Sequence, residues 1–133
     1  MVIDTSALVA ILQREPERRV FIEAVEADDA RLMSVATFVE ISMVVDARHG
    51  AEGLRDLDHF ISRAGIELVP VDSEHGKVAC SAFNRFGKGR HRAGLNYGDC
   101  FSYALATSTG EPLLFKGDDF VHTDVTFVNL GSG

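Results

Sequence analysis

Short apolar runs separated by helix-length segments constrain this chain more than any other feature. The runs are Val2-Ile3, Arg31-Leu32-Met33, Ile66 to Val71, Leu113-Leu114-Phe115 and Thr126-Phe127-Val128. Asp4, Ser34 and Asp72 close the first three, as turn formers and helix caps do. Between them the pattern turns helical. Thr5 or Ser6 is placed to cap a helix from Ala7 to about Gln13, and Pro16 suits the first turn of a second helix ending near Ala27. Ser34 is placed to cap a third that Gly50 ends after Arg48, and a fourth follows from about Glu52 to Ala64. Ser73 opens another to about Phe86, and the last begins near Gly98-Asp99 and stops at Gly110. Short strands alternating with helices predict an α/β fold with a largely parallel sheet.

No linker, repeat or low-complexity stretch interrupts residues 1–133, so the chain reads as one domain. A composition of 46% hydrophobic and 25% charged residues excludes a disordered or fibrous class. The start lacks a basic segment followed by a long apolar one, and no run is long enough for a membrane helix. A cytoplasmic location is expected. Cys80 and Cys100 show no metal-finger spacing and read as buried free thiols. Gly131-Ser132-Gly133 reads as a flexible end.

A net charge of −7 argues against nucleic-acid binding unless some acids are clustered to hold cations. Four segments supply such acids. Asp4 ends the first strand, although the same place suits a helix entry. Glu40 lies roughly 160° around its helix from Ser42, which puts it with Ala36, Met43 and Val44 on the face expected to be buried. A carboxylate there needs a cationic partner or a metal. Asp99 opens an Ala-rich helix with Ser102, Tyr103 and Ala106 along its face. Gly117-Asp118-Asp119 follows a core strand, where a turn or a ligand fits equally.

Oxygen-only donors suit Mg²⁺ or Mn²⁺. Such ions can activate water against a phosphodiester. The five histidines are scattered, and no serine or cysteine nucleophile signature occurs. Just before Asp99 comes a Gly-rich basic loop, Gly87 to Gly94, with Lys88, Arg90, His91 and Arg92. Basic loops of this kind grip RNA phosphates, and the flanking Tyr97 and Phe86 could stack on bases.

In these pieces the chain resembles the PIN-domain ribonucleases, and most of all the VapC toxins of VapBC toxin–antitoxin systems. The resemblance is carried by Val2-Ile3-Asp4-Thr5-Ser6-Ala7-Leu8, by Glu40, by Gly94 to Cys100, and by Pro112 to Phe120. It implies a three-layer sandwich with a short, mostly parallel sheet between helices. It also implies an endoribonuclease dependent on Mg²⁺ or Mn²⁺, a homodimer, and a VapB-like antitoxin that blocks the acidic pocket. Asp4, Glu40 and Asp99 fall on the first three family acids, with Thr5 or Ser6 supporting the first. The fourth is Asp118, with Asp119 as the substitute. Two other readings stand beside this one. A phosphoacceptor receiver domain would use Asp4, Asp72 and Lys116, and a PIN fold could serve as a binding module without catalysis.

Overall fold

The computed structural model describes residues 1–130, so the Gly131–Gly133 tail lies outside the described residues. The elements run β1 (Val2–Ile3), α1 (Thr5–Leu12), α2 (Arg18–Ala27), β2 (Leu32–Ser34), α3 (Val35–Ala64), β3 (Glu67–Val69), α4 (Ser73–Phe86), α5 (Tyr97–Thr109) and β4 (Leu113–Leu114). A single 3₁₀ turn, Phe120–His122, follows. The four strands are all parallel, in the order β3-β2-β1-β4. The expected strand at Thr126–Val128 is reduced to one parallel bridge, Phe127 against Leu113.

Helices pack on both faces of this sheet and divide the core into two clusters. Ile3, Leu8, Ile11, Phe21, Met33, Ile41 and Leu57 lie on one side. Val2, Leu95, Tyr103, Leu105, Leu113 and Phe120 lie on the other. Val2 and Ile3 are fully buried on opposite sides, as successive residues of a strand in a doubly covered sheet should be. Fully burying one such side chain contributes about 1.5–3 kcal/mol. That fixes β1, and with it Asp4 at its end.

The expected break at Gly50 occurs as a kink. Gly50 takes φ 61° and ψ −150°, which separates two helical stretches within α3. A side chain other than glycine's would be strained there. Cap positions differ from those expected by one or two residues. Asp4, not Thr5 or Ser6, caps α1 by accepting from the Ser6 N–H, and Asp72 rather than Ser73 caps α4. Asn96 caps α5 in a reciprocal box with Asp99, so that helix begins earlier than expected. The thiols also differ: Cys100 is buried, but Cys80 is exposed on α4. Among the described residues no helix is long and apolar enough to cross a membrane.

The chain leaves β1 for β2 on one side and returns to pair β4 on the other. Strand order therefore switches at β1, and ligands in open parallel sheets bind beyond the carboxyl ends at such a switch. Asp4 and the residues after Leu114 share that position.

Candidate metal and nucleic-acid site

Asp4 is 2% exposed, and each of its oxygens has a donor. Oδ1 accepts from the Ser102 hydroxyl at 2.6 Å. Oδ2 accepts from the Ser6 hydroxyl at 2.7 Å and the Ser6 N–H at 3.1 Å. Ser6 Oγ in turn accepts from the Lys116 N–H at 3.0 Å, which ties the segment after β4 to the end of β1. Thr5 turns the other way and donates to Glu40 Oε1 at 2.6 Å. Both hydroxyls expected to support the site do touch its acids, one each.

Glu40 is half-buried, and the interior face expected for it needs correction. The buried stripe of α3 is Thr37, Ile41 and Val45, while Met43 is 68% exposed. Glu40 sits at the flank of that stripe, against α5. Gly98 receives it there. A Cβ on Gly98 would overlap the Glu40 carboxyl group, so the carboxylate lies where only glycine leaves room. The Asp99 N–H donates to Asn96 Oδ1 at 2.9 Å, and Asp99 Oδ2 accepts from the Asn96 N–H at 3.0 Å.

These acids feel one another. The Asp99 carboxyl is pushed up to about 7, mainly by burial and then by the negative charges of Asp4, Asp119 and Glu40. The Asn96 amide opposes the rise. The nearby cation, Lys116, is held by Glu15 at 2.6 Å and Glu17 at 3.0 Å. Asp118 and Asp119 are both exposed in the loop after β4, and the charge of Asp119 is among those that raise Asp99.

The donor set is all carboxylate and hydroxyl oxygen, which fits a hard divalent ion. As the side chains stand, no three His, Cys, Asp or Glu groups among the described residues are close enough to hold an ion together. Asp4, Glu40 and Asp99 each accept from a protein donor.

The basic loop is closed at its base by a bridge between Gly87 and Leu95. Lys88, Arg90 and Arg92 project into solvent, with the Arg90 guanidinium 5.5 Å from the centre of the Phe83 ring. His91 does something different. Its Nδ1 accepts from the Ala93 N–H at 3.0 Å and its ring meets Phe86 edge-on at 5.2 Å, so it braces the loop. Phe86 is a core residue, whereas Tyr97 is 79% exposed.

Sequence reasoning missed Asn96, Thr37, Lys116 as a site neighbour, and the bond from Ser102 to Asp4. Asn96 was findable, since Asn-x-x-Asp matches a capping box. The others depend on contacts between distant segments.

A PIN domain family model matches residues 1–125. The chain belongs to the PIN domain family. Within it, the chain is 56% identical over 130 residues to the VapC ribonuclease Mb0640 of Mycobacterium bovis, covering 98% of this chain and 99% of that one. It is 54% identical over 129 residues to the ribonuclease VapC of Mycolicibacterium smegmatis, covering 97% and 100%. It therefore sits among the VapC ribonucleases of that family. Its fold is similar to VapBC2 from Rickettsia felis bound to a DNA fragment from its promoter, with TM-score 0.76 at 13% identity over 96% of each chain.

Membership of the PIN family overturns the receiver reading. Asp72 is the cap of α4, accepting from the His75 N–H, at the end of the strand farthest from β4. Lys116 is occupied by two glutamates.

Proposed function

We propose that this chain is the toxin of a toxin–antitoxin pair, a divalent-cation-dependent endoribonuclease that hydrolyses RNA phosphodiester bonds. One observation carries the reading. Asp4, Glu40, Asp99 and Asp119 come from four separate segments, and the negative charges of the other three add to burial in raising the Asp99 carboxyl. A cluster of like charges is unfavourable unless a bound cation belongs there. The 56% identity to a protein named VapC ribonuclease supports the same conclusion.

In this reading Asp4, Glu40, Asp99 and Asp119 hold Mg²⁺ or Mn²⁺. Asp119 replaces Asp118 as the fourth acid because its charge reaches Asp99. When bound, the ion supplies the charge that makes water nucleophilic near neutral pH and stabilises the leaving oxygen. The protein's part is positioning. Asp4 is fixed by donors on both oxygens, and Glu40 by Thr5 and the gap at Gly98. Lys88, Arg90 and Arg92 hold the phosphate chain against an otherwise acidic molecule. An antitoxin of the VapB kind, with a basic segment, would block the acids, and such a pair acts in the cytoplasm. A homodimer belongs to the reading too, and the exposed Val35, Val39 and Met43 on α3 offer it an apolar surface. Sedimentation of Met43→Glu as an unchanged dimer would argue against that surface.

The test is cleavage of purified total RNA by antitoxin-free protein, with and without Mg²⁺ or Mn²⁺. Discrete fragments that need the cation and vanish in Asp4→Asn are expected. Fragments that persist with a chelator, or that Asp4→Asn makes equally well, would overturn the reading.

A further inference from the structure

Ser102 lies in a helix otherwise rich in alanine at this level and is fully buried, as are Thr37 at 1% and Asp4 at 2% exposure. Buried hydroxyls are unfavourable unless bonded. These two are bonded in series: Thr37 Oγ1 is 3.2 Å from Ser102 Oγ, which is 2.6 Å from Asp4 Oδ1. The direction follows from the proton count. Ser102 has one hydroxyl proton, and it is given to Asp4 Oδ1. Thr37 must therefore donate to Ser102. A buried chain of donors running to a carboxylate strengthens each of its members.

The positions of the two hydroxyls give this chain a task. Thr37 is three residues before Glu40 on α3, and Ser102 three residues after Asp99 on α5, so each lies on the same helix face as an acid of the site. Asp4 ends β1. The relay thus joins the three elements that carry three of the acids, at a depth solvent does not reach. On its other oxygen Asp4 is held through Ser6 by the Lys116 N–H, which brings in the segment bearing Asp119.

The geometry points to a positioning role: Thr37 and Ser102 form a hydroxyl relay that holds Asp4 in register with Glu40 and Asp99, and so sets how tightly the site binds its divalent ion. This rests on the cation-dependent reading given above. Ser102 and Thr37 touch neither substrate nor ion and act through Asp4.

The relay is tested by calorimetric titration of Mn²⁺ into the metal-stripped full chain, with circular dichroism confirming the fold. Ser102→Ala should weaken Mn²⁺ binding about tenfold, the low end for removing a group behind a ligand. Thr37→Val should weaken it less, and Thr37→Ser, which keeps the hydroxyl, should bind like wild type. The double variant Thr37→Val with Ser102→Ala should be no worse than Ser102→Ala, because Thr37 acts only through Ser102. Losses that add in the double variant, or single variants that bind as wild type does, would overturn the relay. If Ser102→Ala fails to fold, the contrast between Thr37→Val and Thr37→Ser decides. Wild-type affinity in Ser102→Ala beside lost affinity in Asp4→Asn would remove the relay and leave the ion site standing. Absence of Mn²⁺ binding in wild type would remove both.

Discussion

Asp99 and Asp124 are two aspartates on one small domain whose surroundings have opposite sign. Asp124 accepts from the Tyr103 hydroxyl at 2.5 Å and from Arg85 at 3.0 Å, and these donors hold its carboxyl below the usual carboxylate range. Arg85 is itself braced, 4.7 Å from the centre of the Phe86 ring. Asp99 is half-buried, and burial followed by the charges of Asp4, Asp119 and Glu40 pushes its carboxyl up to about 7. The first acid has its counterion within the chain and serves the fold. The second is raised by burial and by like charges, which a cation from outside would relieve.

The sharpest way to break this contrast is Asp99→Asn. Cleavage of RNA in the presence of Mn²⁺ should fall by roughly a hundredfold or more, because a proposed ligand is lost. Metal-stripped Asp99→Asn should nevertheless be more stable than wild type at pH 8, by about 1–2 kcal/mol. The sign follows from proton binding. The folded pKa lies above the unfolded value of 3.8, so the folded state binds more protons between the two. Wild-type stability from this group is therefore lost as pH rises from about 4 to 7, and a neutral amide avoids the loss. Urea melts at pH 5 and pH 8 in chelator check this, and Asp99→Asn should be the less pH-sensitive protein.

Next in size is Gly98→Ala. Its Cβ collides with the Glu40 carboxylate, the movable end of a flexible side chain, so Glu40 is displaced and cleavage should fall while stability changes little. Adding Glu40→Ala relieves the collision but should not restore cleavage; recovery would show that Glu40 has no part in the reaction. Lys88→Gln, Arg90→Gln and Arg92→Gln together should weaken RNA binding and flatten its salt dependence by up to about three counterions, leaving the melting temperature unchanged. The smallest effect belongs to Asp124→Asn, which should destabilise by about 1 kcal/mol. Its contribution is present above the unfolded pKa and lost as pH falls through the lowered folded value, opposite in direction to that of Asp99.

Alternating short strands and helices made the parallel sheet legible, and with it the ends of β1 and β4 where Asp4 and Asp119 stand. Local rules also located the break at Gly50 and the run of α4. They failed where one residue of phase mattered. The helical wheel put Met43 inside α3, but the core stripe is Thr37, Ile41 and Val45, because which face is covered depends on where α5 packs. Asp118 and Asp119 are adjacent in a turn, and no local pattern says which one lies nearer in space to the other acids. The bond from Ser102 to Asp4 spans 98 positions, and no local pattern carries that information. His91 reads as a phosphate contact in a basic loop until its ring is seen packed on Phe86.

Metal-dependent cleavage of total RNA, run side by side for Asp99→Asn and Asp124→Asn below the melting temperature of both, tests the central claim most directly. Asp124→Asn should cut like wild type despite its lower stability, and Asp99→Asn should be inactive although it is the more stable fold without metal. Cleavage by Asp99→Asn at the wild-type rate, or equal loss in both, would contradict the assignment of the acid cluster as the catalytic centre.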